Sequence, residues 1–178
     1  MGLVHFDFPA TFRTLYKKGY QLYQDGQRGA ETFFTAEETT WLSANGITAQ
    51  HMYDYAEDDV VDGVPGFGNA LAIEVIRRDY FLSVQNGVPT TTVLDPDTLP
   101  AKSGEIDGIR WLPRIIPKAK AKLRGEMPPS MMYSCGGDRN FFLTNNIMPA
   151  EFLNLIWRHL DDDAAVIAWV KARRAQNT

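Results

Sequence analysis

The sequence predicts an all-α protein built from two related helical halves that are joined by an extended linker rich in proline and threonine. Three observations support this class. Apolar residues recur at helical spacing in most segments of the 178-residue chain. Start and stop signals for helices flank those segments. Helices of the first half recur about a hundred residues later. We expect the halves, residues 1–86 and 105–178, to pack about a pseudo-twofold axis as two bodies or as one globule, with residues 87–104 as linker.

The first half contains several local signals for helix ends. A helix is expected from Asp7 to about Asp25, followed by one that opens with the capping-box pair Thr35 and Glu38. Thr48 can cap a third helix. Asn69 can cap a fourth, which is expected to end near residue 85.

The linker and the second half follow the same logic. Residues 86–104 contain three prolines and four threonines and show no helical periodicity, although a short strand at 91–94 is possible. A basic helix is expected to start near Pro113 or Pro117 and to end at Gly125. Pro149 suits the first turn of the next helix, and the acidic residues 161–163 suit the start of the last one.

An internal repeat is indicated by laying the chain on itself. A shift of 101 residues places Arg13 and Lys17 on Arg114 and Lys118, and after one gap residues 45–48 fall on 145–148. A shift of 96 places residues 70–78 on 166–174. Convergence of amphipathic helices is the alternative, since such helices resemble one another. If the halves are related, the groove between them is the expected pocket.

The second half also carries a family resemblance. Gly108, Trp111, Arg114 and Lys118 match a Gly-x-x-Trp/Tyr-x-x-Arg-x-x-x-Lys pattern, which is followed by a Gly-Asp-Arg-x-Phe-Phe segment from Gly137. In these features the last 70 residues or so resemble a bacterial family known as domain of unknown function 5069. The resemblance implies a small helical fold and a bacterial origin, and it implies no activity.

The bulk composition limits the kinds of partner. A net charge of −4 argues against a dedicated nucleic-acid binder, and a single cysteine excludes both a disulfide framework and a cysteine-rich zinc site. No apolar run approaches the roughly 18 residues of a membrane span. The first residues lack the pattern of a signal peptide, so a cytoplasmic location is expected. A homodimer remains open.

Two groups of residues are candidates for binding a substrate. Arg114 and Lys118 lie one turn apart on the basic helix and could hold an anion, as could Arg13 and Lys17 in the first half. The alternative is a solvated basic face. Aromatic residues could line a pocket for an aromatic or oxygenated ligand, or could simply fill the core. The aromatic candidates are Tyr16, Tyr20 and Trp111.

A third group has the residue types needed for proton transfer. His51, Asp54 and Tyr55 share a helix face, so His51 could act as a general base oriented by Asp54, with Tyr55 as the acid. An exposed acidic helix end is the alternative interpretation. The turn around Cys135 lacks a local histidine and is interpreted as structural. No metal or organic cofactor is expected.

These candidates lead to two functional hypotheses. In the first, the protein is a cofactor-independent enzyme, a lyase or hydrolase, that uses His51, Asp54 and Tyr55 on an anionic or aromatic small molecule bound between the halves. In the second, it is a non-catalytic ligand-binding or protein-interaction module with a basic docking helix.

Overall fold

The chain is mostly helical, as the sequence predicts. The structure, a computed structural model, describes residues 5–176, so the expectation about a signal peptide lies in part outside the described residues. Those residues form eight α-helices and one short two-stranded antiparallel sheet. They divide into two compact units, the first ending at Pro89 and the second beginning at Thr90. We find within residues 5–176 no helix with both the length and the apolar character needed to cross a bilayer.

The first unit consists of four helices. They are α1 (Phe8–Gln24), α2 (Ala36–Ala44), α3 (Ala49–Asp62) and α4 (Gly66–Ser83). Helix α1 packs most extensively on α3, and aromatic side chains supply much of the buried surface. Phe12 is fully buried, and Phe33 and Tyr23 form a second cluster with Ala56.

The helix ends of the first unit follow the local signals in most cases. Thr35 and Glu38 form the expected capping box, and Thr48 accepts a hydrogen bond from the His51 backbone N–H. The prediction that Asn69 caps α4 is wrong. Helix α4 begins one turn earlier, at Gly66, and the Asn69 side chain donates to the Pro65 carbonyl oxygen from inside the helix.

The second unit begins with a β-hairpin and continues with four helices. Strands β1 (Glu105–Ile106) and β2 (Ile109–Arg110) pair antiparallel and lead into α5 (Leu112–Arg124), α6 (Gly136–Thr144), α7 (Pro149–Arg158) and α8 (Asp163–Ala175). Helix α5 starts at Leu112, with Pro117 inside it rather than at its start. Pro149 opens α7 and acidic residues lie at the start of α8, as predicted, and the Asp162 side chain also caps α8.

Residues 90–104, predicted to be linker, pack within the second unit. The backbone N–H of Leu94 donates to the Glu126 carbonyl oxygen at 2.7 Å, and Leu99 is buried. The Gly104 carbonyl oxygen accepts from the Trp111 backbone N–H, which fixes the start of α5. The strand considered at 91–94 is wrong, because the sheet is formed by β1 and β2 instead.

The two units have the same pattern of burial at a sequence offset of 100 residues. Helices α2 and α6 have equal lengths and start 100 residues apart, as do α3 and α7 at their first residues. From α1 to the end of α3, twelve positions are buried in both units at this offset: Phe12 and Leu112, Leu15 and Ile115, Tyr16 and Ile116, Gly19 and Ala119, Tyr23 and Leu123, Phe33 and Tyr133, Leu42 and Phe142, Asn45 and Asn145, Ile47 and Ile147, Met52 and Phe152, Tyr55 and Leu155, and Ala56 and Ile156. This pattern favours an offset of 100 also for the first helix, where the sequence suggested 101, and it pairs Lys118 with Lys18 instead of Lys17.

Candidate functional site

A cavity of about 350 Å³ in the first unit brings together four of the predicted substrate-binding residues. Arg13, Tyr16, Lys17 and Tyr20 follow one another at spacings of three, one and three residues along α1, and such spacing places them on neighbouring faces of the helix. The remaining lining residues are Gln21 from α1, Asp59 from α3 and Phe67 from α4. The volume falls in the range of small-molecule sites.

The polar centre of this cavity is a tyrosine–aspartate pair. The Tyr16 hydroxyl donates to the Asp59 Oδ2 atom at 2.9 Å. Burial raises the pKa of Tyr16, and the hydrogen bond to Asp59 and the negative charge of Asp59 raise it further. The phenol therefore remains protonated at neutral pH and acts as a hydrogen-bond donor.

Two cations flank this pair. The Arg13 guanidinium carbon lies 4.1 Å from the centroid of the Phe67 ring, a cation–π contact that holds the side chain over the cavity. Within residues 5–176, Lys17 has no hydrogen-bond or ion-pair partner. With one carboxylate and two cations, the lining has a net positive charge, which favours an anionic ligand.

The three residues predicted to transfer protons do not line this cavity. The His51 ring Nδ1 atom lies 3.5 Å from the Thr48 backbone nitrogen, completing the cap of α3, and Asp54 accepts from Gln50 at 2.6 Å. The Tyr55 hydroxyl is buried and donates to Glu74 at 2.7 Å. Burial, followed by the charge of Glu74, raises the pKa of Tyr55 well above its usual value. Catalysis by His51 with Asp54 stays a prediction.

In the second unit, the predicted ligand-binding lysine is part of a buried polar network. The Lys118 ammonium donates to Asp138 Oδ2 at 2.6 Å and lies 3.1 Å from the Cys135 sulfur atom. Asp138 also accepts from the Trp111 indole N–H at 2.9 Å and from the Ser134 backbone N–H at 2.9 Å. A buried carboxylate with these three donors is satisfied, so the network fixes the start of α6 against α5.

The other predicted residue on α5 also makes contacts within the second unit. Arg114 donates to the Pro100 carbonyl oxygen at 2.7 Å, and its guanidinium carbon lies 5.8 Å from the centroid of the Trp111 ring. These contacts hold the segment before β1 against the helix. The structure thus collects Arg13, Tyr16, Lys17 and Tyr20 in one cavity, whereas Arg114, Lys118 and Trp111 form a second group.

Several residues of these sites were missed by sequence reasoning. Asp59 of α3 and Phe67 of α4 also line the first cavity. They lie 43 and 51 positions after Tyr16 in the sequence, and no local sequence pattern connects either of them with Tyr16. Lys18 pairs with Glu38 at 2.6 Å in the first unit, as Lys118 does with Asp138 in the second. The conserved spacing of 20 residues in the two pairs could have revealed this relation.

Comparison with known proteins gives no further guide to these sites. No family model, curated protein or solved structure matches the chain. The resemblance of the second half to domain of unknown function 5069 therefore stays a prediction. Among the described residues, we also find no group of three or more histidine, cysteine, aspartate or glutamate side chains that could hold a metal ion.

Proposed function

We propose that the first unit binds a small aromatic anion in the cavity of Arg13, Tyr16, Lys17 and Asp59. The supporting observation is the convergence of two cations and three aromatic residues around one space of suitable size. A carboxylate or phosphate would contact Arg13 and Lys17, and a ring would lie against Tyr20 and Phe67. This proposal places the ligand within the first unit rather than between the halves.

The same cavity has the groups needed for cofactor-independent acid–base chemistry. Asp59 is the only carboxylate among the described residues of the lining and can accept a proton from a ligand bound beside it. Tyr16 has a single O–H, which donates to Asp59 in the absence of a ligand, and in the proposed reaction this O–H turns from Asp59 to an oxygen on which negative charge develops. We therefore assign the proton-transfer role of the proposed lyase or hydrolase to Asp59 and Tyr16 within this cavity.

The charges of the lining residues define the experiment. Benzoate should be titrated into ¹⁵N-labelled full-length protein while the backbone amide resonances of residues 13–21 are followed, with acetate as the ring-free control. Replacing Arg13 with Ala should weaken binding about tenfold, which corresponds to about 1.4 kcal/mol. Asp59→Asn should strengthen it, because the substitution removes a negative charge. Equal affinity in all three proteins would contradict the proposal.

The contacts of α5 weigh against the alternative of a basic docking helix. Lys118 and Lys122 are buried, and Lys120 pairs with Asp163 at 2.6 Å. An interaction surface for an acidic partner needs exposed and available cations. Helix α5 instead uses several of its lysines inside the second unit, so we favour the small-molecule proposal.

We also propose that the two units arose by internal duplication. The twelve positions buried at the same offset support this, as do the Lys18–Glu38 and Lys118–Asp138 pairs. Asn45 and Asn145 each donate through the side chain to the backbone carbonyl oxygen four residues earlier, at 2.8 Å. In experimental coordinates, α1–α3 should superpose on α5–α7 at an offset of 100, and a better fit at 101 would contradict the proposed alignment. The pseudo-twofold arrangement stays a prediction.

A further inference from the structure

A second cavity, of about 580 Å³, lies in the second unit. Its lining includes residues of the hairpin, of α6 and of α8. Among the described residues of this lining, three are cations, Lys102, Arg110 and Arg174, and none is a carboxylate. Among residues 5–176, Lys102 and Arg110 have no hydrogen-bond or ion-pair partner. Such a lining favours an anion.

The corresponding place in the first unit is filled by an aromatic ring. Phe8 is buried and stacks on Trp41 with the ring centroids 5.5 Å apart and the planes 14° apart. The Arg78 guanidinium carbon lies 4.8 Å from the centroid of the Phe8 ring. The Arg78 Nε–H also donates to the Asn45 Oδ1 atom at 2.5 Å, so this arginine is fully engaged with residues of its own unit.

The second unit has counterparts of three of these four residues by sequence offset, and it lacks a counterpart of the Phe8 ring. At the offset of 100, Trp41 corresponds to Phe141 and Asn45 to Asn145, and the repeat of the last helix relates Arg78 to Arg174. All three counterparts line the 580 Å³ cavity. The residue 100 positions after Phe8 is Gly108, which has no side chain and also lines the cavity. Gly108 lies in the turn between β1 and β2, and its carbonyl oxygen accepts from Arg174 at 3.1 Å, so this sequence position carries a backbone contact in place of the Phe8 ring.

The wall that Trp111 contributes is held in position before any ligand arrives. Its indole N–H is fixed by Asp138, and its backbone adopts the left-handed conformation at φ +71°. A Cβ atom on Gly137 would lie 2.4 Å from the Trp111 ring, so only glycine allows this approach. Such preorganisation lowers the entropy lost when a ligand binds.

We propose that this cavity is a second binding site, which takes a planar aromatic anion. The aromatic ring would occupy the place that Phe8 holds in the first unit, against Phe141 and beneath Arg174. The anionic group, a phosphate or carboxylate, would contact Arg110 and Lys102. This site goes beyond the proposed function, since it uses different residues in a different unit.

Phenyl phosphate is a suitable probe, and the Trp111 indole N–H resonance of the ¹⁵N-labelled full chain is a suitable signal. The resonance is assigned by its loss in Trp111→Phe. Phenyl phosphate should shift it in a saturable manner, and inorganic phosphate and phenol should each bind about tenfold more weakly. No shift at about 10 mM phenyl phosphate would overturn the proposal, and equal affinity for inorganic phosphate would overturn the role of the ring.

Variants of lining residues distinguish binding of phenyl phosphate in this cavity from unspecific attraction to positive charge and from binding in the first cavity. The Arg110 side chain is exposed and makes no hydrogen bond or ion pair within residues 5–176, so Arg110→Ala should fold normally and weaken binding about tenfold. Asn140→Phe should block the cavity.

Lys171→Ala, which removes an exposed charge from α8 outside the lining, is the matched control for Arg174→Ala. Equal losses in Lys171→Ala and Arg174→Ala, or full binding in Asn140→Phe, would overturn the proposal. Failure of benzoate to bind near Arg13 would leave these outcomes unchanged.

Discussion

Lys18 and Lys118 make equivalent ion pairs in surroundings of very different polarity. The Lys18 and Glu38 side chains are 34% and 26% exposed, whereas those of Lys118 and Asp138 are 4% and 0% exposed. An exposed pair contributes little because water and salt screen it. A buried carboxylate that loses its cation keeps the full cost of desolvation.

Matched substitutions measure this difference. We expect Lys118→Met to lower the free energy of unfolding by about 3–5 kcal/mol. The equivalent Lys18→Met should lower it by about 0.2–1 kcal/mol. Urea denaturation followed by circular dichroism gives both values, and similar losses would contradict the assigned burial of the Lys118–Asp138 pair.

Glu38 should make the stability of the first unit depend on pH. Burial alone would raise the pKa of this carboxyl, but the hydrogen bonds from Lys18 and from the Thr35 backbone N–H outweigh burial and lower it. A lowered pKa stabilises the folded state at pH values above the unfolded value of about 4.3. That contribution is lost as the pH falls through the folded pKa.

In urea denaturation between about pH 3 and pH 7, Glu38→Gln should therefore be less stable than the wild type near neutrality and equally stable at the acid end. A constant difference would argue against the Lys18–Glu38 pair.

Tyr55 tests whether a residue predicted to be catalytic is structural. Its hydroxyl is a buried donor to Glu74, so Tyr55→Phe should cost about 1–3 kcal/mol of stability. The same variant should bind benzoate as the wild type does, because Tyr55 does not line the cavity. If Tyr55→Phe lost benzoate binding while its free energy of unfolding stayed unchanged, Tyr55 would have a functional role rather than a structural one.

The residues of the candidate site illustrate what a sequence can reveal at this scale. Arg13, Tyr16, Lys17 and Tyr20 could be found because they lie within eight positions on one helix, where spacing determines direction. Asp59 could not be found in this way. It is brought to Tyr16 by the packing of α3 on α1, a contact between distant segments that periodicity does not encode.

The helix ends were predictable where a side chain caps its own helix. Thr35, Thr48 and Asp162 each accept a backbone N–H three residues later, an interaction contained in four consecutive residues. The start of α4 was missed because Pro65 precedes the helix without a side-chain cap. Of the two starts considered for α5, the one at Pro113 is confirmed, because tertiary packing tolerates Pro117 within the helix.

The junction between α2 and α3 requires glycine for two separate reasons. Gly46 has a φ of +72°, and a Cβ atom there would lie 2.7 Å from the Phe81 ring. Gly63, which ends α3, has nearly the same φ of +71° with no atom within 4 Å. We expect both Gly46→Ala and Gly63→Ala to cost about 1 kcal/mol from the backbone. Gly46→Ala should cost about 1–3 kcal/mol more from the collision. Equal thermal stability of the two variants would contradict the packing of Phe81.

At the scale of the whole molecule, the helical class predicted from the sequence is confirmed, and the internal duplication stays a proposal. The basic residues suggested an offset of 101, because charged side chains on exposed faces recur in unrelated helices. Buried positions instead agree at 100, since core packing tolerates fewer alternatives than the surface does. The hairpin of residues 105–110 was missed because two-residue strands are too short to show an alternating pattern.

The central claim is that the first unit holds an anion through Lys17 and Arg13. It is tested most directly by comparing Lys17→Ala with Lys18→Ala in the benzoate titration. The two variants remove the same charge from adjacent positions of α1, and only Lys17 lines the cavity. The account predicts that Lys17→Ala weakens binding about tenfold and that Lys18→Ala binds within about twofold of the wild type. Equal affinities for benzoate in the two variants would contradict it.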